Sequence, residues 1–104
     1  MGGRPLLVLA LAWGATSNAL AQQPDPRPGR NLAAACASCH GTSGVSRAGM
    51  PALAGRDPDE LTRLMQDFRS GKRPATVMQQ IARGYTDEQV AAIAAHFAAQ
   101  RAAR

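Results

Sequence analysis

Five consecutive residues constrain this chain more than any others: Cys36-Ala37-Ser38-Cys39-His40. They read C-x-x-C-H, the attachment signature of a c-type haem. Two thiols three positions apart stand on one helical turn, where they can add to the two vinyl groups of one porphyrin as thioethers. The histidine that follows is then held beneath the iron and can supply an axial imidazole. Other chemistries of paired cysteines fit poorly. A thioredoxin-like dithiol needs a βαβ setting, and no stretch here reads as a strand. A structural zinc site needs four ligands, and after Cys36, Cys39 and His40 only His96 remains. A disulfide between residues this close in sequence closes a tiny loop and stabilises little.

Composition points the same way. The chain has 104 residues, enough for one small domain. Hydrophobic residues make up 45%, but many are alanine and aromatics are only 4%. An alanine-rich core buries little area per residue, so such a domain needs a further source of stability. A porphyrin held at the centre offers a broad apolar surface to pack on, and bound ligands add to folded stability. The formal net charge is +5, carried almost wholly by arginine, with Lys72 the one lysine. These cations are scattered, without a dense run or interleaved aromatics, which argues against nucleic-acid binding. Most are expected on solvated surface. The functional alternative is a mildly basic face that steers an acidic redox partner, and two porphyrin propionates also need neighbours.

Residues 1–21 read as a cleaved secretory leader rather than part of the fold. Arg4 is the basic start, residues 6–13 the apolar centre, and Ala19-Leu20-Ala21 the small-residue cleavage site, so the mature chain is expected to begin at Gln22. The apolar run is too short to span a bilayer comfortably, so no stable membrane insertion is expected. Export suits the motif, because haem is attached to thiols outside the cytoplasm; for a bacterial chain that means the periplasm. Residues 22–29, with Pro24, Pro26 and Pro28, read as a stiff solvated lead-in. The haem domain is then expected over 30–104, its first helix starting with Asn31 as N-cap.

Three further helices are signalled after the motif. A loop rich in glycine runs from Gly41 to Gly55. It can wrap one side of a haem, and a proline carbonyl within it, with Pro51 the candidate, can accept the Nδ1–H of His40; the competing reading of Pro51 is an ordinary turn proline. Asp57, Pro58 and Glu60 predict a capping box opening a helix whose apolar face is Leu61, Leu64, Met65 and Phe68, ended by Gly71. Thr76 with Gln79 predicts a short helix through Val77, Met78 and Ile81 up to Gly84. Thr86 with Gln89 opens the last, from Asp87 to about Ala102, with Val90, Ile93, Ala94 and Phe97 inward.

A low-spin electron-transfer haem needs a sixth ligand, and a thioether favours the ferrous state. Met50, Met65 and Met78 compete. Met65 sits on a helix face beside leucines, where core filling is the plainer role. Met50 lies in the loop close behind His40 and should stay on that side of the ring. Met78 follows a whole helix that can carry the chain round to the other side. His96, near the end of the last helix, is expected to face solvent. Tyr85 has two open roles, shaping the pocket or packing at a partner interface.

With Cys36–His40, the run Gly-Met-Pro-Ala-Leu-Ala-Gly at 49–55, Phe-Arg-Ser-Gly-Lys-Arg-Pro at 68–74 and Met78 in place, the chain from about 30 to 100 resembles a small class I cytochrome c of the c553/c4 kind. The stretch from Thr76 to Thr86 is similar to the haem domain of the cytochrome subunit of flavocytochrome c sulfide dehydrogenase. The resemblance implies an all-α class I cytochrome c fold: four to five short helices around one covalently attached haem c, the first and last crossing. It implies Cys36 and Cys39 as thioether sites, with His40 and Met78 as axial ligands. It also implies an electron carrier rather than a catalyst, paired with a flavoprotein sulfide dehydrogenase. Well-known members of that group carry two haem domains, whereas this chain has one C-x-x-C-H. Two alternatives remain. One is a free c553-type carrier to a terminal oxidase or another dehydrogenase. The other is an open-site haem protein binding gas or peroxide, if Met78 does not ligate.

Overall fold

The computed structural model of the chain describes residues 1–3 and 27–102. The expected leader beyond its first three residues, its cleavage point and the start of the lead-in lie outside the described residues. The described fold consists of α1, Arg27–His40; a 3-10 turn, Thr42–Gly44; α2, Pro58–Ser70; α3, Val77–Arg83; and α4, Asp87–Ala98. No strand occurs among the described residues, in keeping with an all-α fold.

Helix α1 begins at Arg27, ahead of the expected start, so 27–29 are helical rather than lead-in and Asn31 lies inside the helix instead of capping it. Proline suits this position: in a first turn its missing N–H costs nothing and its φ is already helical. Gly29 belongs to the helix for a packing reason. It is buried where α1 meets α4, and a Cβ built there would stand 2.6 Å from the Ala92 carbonyl oxygen. The first and last helices therefore cross with backbone nearly touching backbone, through the one residue type with no side chain to obstruct them.

The core sits on the inner side of that crossing. Ala33, Leu61, Ile93, Ala94 and Phe97 form one buried cluster, with Leu32, Cys36, Leu53 and Tyr85 packed against it. Half of the buried apolar residues described are alanines: Ala33, Ala54, Ala82 and Ala94. Small side chains let helices approach closely but remove little area from water each.

The caps follow the sequence signals unevenly. Asp57 accepts hydrogen bonds from the N–H groups of Asp59 and Glu60, and Pro58 occupies the first turn of α2. Glu60, expected to close the box, instead pairs with Arg56. Left-handed Gly71 ends α2. Thr86 and Gln89 make the full reciprocal box at the head of α4. Thr76 precedes α3 as expected, but its backbone is already helical and its side chain makes no cap hydrogen bond. Helix α4 stops at Ala98, short of Ala102. Phe97 O is taken by the N–H groups of Gly55 and Gln100, and residues 100–102 fold against Gly55.

The loop between α1 and α2 is held by backbone. The Gly44 carbonyl accepts from both Leu53 and Ala54, and the Ser46 hydroxyl donates to the Met50 carbonyl. Gly44 lies at φ +74, and a Cβ there would stand 2.6 Å from the Phe97 ring. This position thus combines a left-handed turn with close approach to the core, and only glycine meets both demands.

Candidate cofactor site

Three walls close round a cavity of about 470 Å³. The C-terminal turn of α1 contributes Cys36, Cys39 and His40. The loop adds Met50, Pro51 and Leu53. Leu64, Met65 and Phe68 of α2, Val77, Met78 and Ile81 of α3, and Phe97 with its α4 neighbours complete the lining. The apolar stripe of α2 is therefore turned to the cavity, as its spacing allowed.

His40 is buried, 7% exposed, at the last position of α1. Its Nδ1 lies 2.7 Å from the Pro51 carbonyl oxygen. A carbonyl can only accept, so Nδ1 carries the proton and donates it. In the neutral ring the lone pair then belongs to Nε2, the form in which imidazole binds a metal. The Pro51 carbonyl fixes both tautomer and ring orientation, as outer partners of metal-binding histidines do. No disulfide joins the two cysteines; Cys36 is half-buried and Cys39 exposed. Burial is the main influence pushing the Cys36 thiol above its ordinary range; the nearby Cys39 adds to it, and a backbone hydrogen bond opposes it.

All three competing methionines line the cavity, so Met65 is not filler in a separate core. Their placement differs. Met50 immediately precedes Pro51 and is 39% exposed, bound to the His40 side by the loop itself. Met65 is half-buried on α2 and Met78 half-buried on α3. His96 lies off the cavity lining, half-buried, with its ring edge-on to Phe97 at 5.3 Å between centroids. It packs beside Gly29 at the helix crossing. Tyr85 lines the cavity and packs on the core.

Sequence reasoning missed three arginines. Arg56, paired with Glu60, and Arg73 line the cavity. Arg73 lies over the Phe68 ring at 5.7 Å from its centroid. Arg69, at the end of α2, binds the carbonyls of Ala82 and Tyr85 and the Asp87 carboxylate. Scattered cations in a sequence carry no mark of which one a fold turns inward; the only local signal was a basic residue in the last turn of a helix.

This donor set suits a haem. An oriented imidazole, two thiols on the same helical turn, thioethers on other walls and an otherwise apolar lining meet in one cavity, with basic side chains suited to propionates. Comparison with known proteins agrees. Residues 24–97 match the family described as cytochrome c oxidase, cbb3-type, subunit III. The chain is 36% identical over 96 residues to the cytochrome subunit of sulfide dehydrogenase from Chlorobaculum tepidum, covering 88% of this chain and 87% of that protein. It is 47% identical over 70 residues to a thiosulfate dehydrogenase electron acceptor from Stutzerimonas stutzeri, covering 64% of this chain and 32% of the relative. It is 38% identical over 97 residues to cytochrome c4 from Pseudomonas aeruginosa, covering 92% of this chain and 48% of the relative. The chain thus spans about a third to a half of the last two proteins but most of the first.

The chain belongs to this cytochrome c family. It is a class I cytochrome c with covalently bound haem c, an electron carrier rather than a catalyst, working with redox partners. Among the described residues no helix is long and apolar enough to cross a membrane.

Proposed function

We propose that this protein is a periplasmic carrier of single electrons, exported by a leader over residues 1–21, that accepts electrons from a flavoprotein sulfide dehydrogenase. Cys36 and Cys39 would hold the haem through thioethers, and His40 and Met78 would ligate its iron. The bound haem supplies one-electron chemistry between ferric and ferrous iron. The chain's residues set the conditions. Pro51 holds the His40 ring through Nδ1, and the apolar walls from α2, α3 and α4 keep water from the iron. A fixed imidazole and a soft thioether leave little to rearrange between the two oxidation states.

The observation supporting the site is the His40–Pro51 hydrogen bond, since it prepares Nε2 for a metal. The observation supporting the partner is similarity running through 87% of the Chlorobaculum protein, which indicates a relative of the same single-domain size. The test is native purification. A stable complex with a flavoprotein, and reduction of the cytochrome on adding sulfide, supports the proposal. A lone cytochrome that sulfide and the flavoprotein fail to reduce overturns it. The second reading, a free carrier serving another dehydrogenase, is favoured by the 47% identity to a thiosulfate dehydrogenase electron acceptor. Reduction by a thiosulfate-oxidising enzyme, without complex formation, selects it.

A further inference from the structure

Helix α3 carries Met78 and packs chiefly on α2. It has seven residues, too few for a stable helix in water on its own. Its N-cap side chain makes no hydrogen bond. Val77 and Ile81 on it are 62% and 37% exposed, and Ala82, at 0%, is its only fully covered residue. Its firmest polar tie comes from another helix. Arg69 reaches from the last turn of α2, with Nε 3.4 Å from the Ala82 carbonyl oxygen and one terminal nitrogen 2.9 Å from that of Tyr85. The other terminal nitrogen is 2.7 Å from an Asp87 carboxylate oxygen.

We infer that Arg69 is the positioning residue for Met78, locking α3 to α2 so that the thioether stays presented to the cavity. The last carbonyls of a helix have no partner within it and carry partial negative charge. Planar guanidinium can satisfy several such acceptors at once, whereas an ammonium is a single point. The two bonded carbonyls flank the exit of α3, four residues beyond Met78 in the case of Ala82. On the α2 side, Arg69 follows Phe68, which lines the same cavity. One side chain thus ties together two walls, and releasing it frees the wall that bears the methionine. The inference rests on the proposed ligation by Met78.

The test uses the mature haem-loaded protein in its ferric state, with imidazole as the probe. An outside ligand binds only when the methionine has left, so apparent affinity scales with the open fraction. Arg69→Gln should bind imidazole about tenfold more tightly, the loss of roughly one charge-assisted hydrogen bond. Amides of α3 should exchange faster, while those of α1 and α4 keep their protection. Arg69→Lys should recover part of the effect. Asp87→Asn should stay within about twofold of the parent, because the Asp87 side chain is 76% exposed and such pairs contribute little. Unchanged imidazole affinity in Arg69→Gln overturns the inference. So does a rise matched by equal loss of protection in α1 and α4, which marks a general structural role. Failure of the ligand assignment looks different: the far-red band of ferric methionine-ligated haem is then missing from the parent, or survives Met78→Ala.

Discussion

Replacing Gly29 by alanine sets two known effects against each other at the crossing of α1 and α4. A Cβ at this position would lie 2.6 Å from the Ala92 carbonyl oxygen and 3.2 Å from its carbon, both backbone atoms, whereas ordinary contact begins near 3.4 Å. No side chain can rotate away, so the helices must part by about 0.8 Å, the difference between 2.6 and 3.4 Å. A gap of that size forfeits about a quarter to a half of each dispersion contact it opens. Overpacking of this kind typically costs about 1–3 kcal/mol. Alanine's better helix propensity returns at most about 1 kcal/mol. The net loss is then about 1–2 kcal/mol, a fall in Tm of about 5–15 °C for a domain this small. Thermal unfolding of the haem-loaded protein, followed by far-UV circular dichroism, measures it. Gly84→Ala, at negative φ on an exposed turn, is the control and should shift far less. A Gly29→Ala protein as stable as its parent, or more so, refutes the claim that close backbone approach rather than propensity governs this position.

The other outcomes concern the ligands, the caps and the thioethers. Met78→Ala should abolish the far-red band of the ferric protein and lower the reduction potential. Met65→Ala should keep the band and cost about 2 kcal/mol, the low end for a methionine that is only half-buried; loss of the band in Met65→Ala instead would reverse the assignment. Thr86→Ala removes a formed capping box and should cost about 1 kcal/mol in chemical denaturation, while Thr76→Ala, whose side chain caps nothing, should be close to neutral. Protein matured in a host that attaches haem should keep its colour through denaturation and gel electrophoresis. A Cys36→Ser, Cys39→Ser double variant should lose the colour under the same treatment.

Much of the site was legible because its chemistry is local. Cys36, Cys39 and His40 share one helical turn, so their spacing alone aligns them. For Pro51 the sequence left two readings open, a partner for His40 and a turn proline, and it is the fold that puts its carbonyl 2.7 Å from the His40 ring. The stripe of α2 and the box at Thr86 were equally plain, since helical period and cap chemistry involve residues only three or four apart.

What failed was decided between segments. The start of α1 was misplaced because three prolines suggest extended chain, and only the crossing with α4 gives Gly29 a reason to be helical. The end of α4 was overrun because alanine, glutamine and arginine all favour helix, while Gly55, distant in sequence, claims the Phe97 carbonyl. Arg69 was one cation among many until the fold set three acceptors within its reach.

Sequence by itself determined the cofactor chemistry and the placement of the helices, because both are set by neighbours along the chain. Tertiary structure alone decided how near α1 and α4 approach, where α1 starts and α4 stops, and which arginine bonds inward. Those outcomes depend on atoms far apart in sequence competing for the same carbonyl or the same few tenths of an ångström, and no short stretch of residues records such a competition.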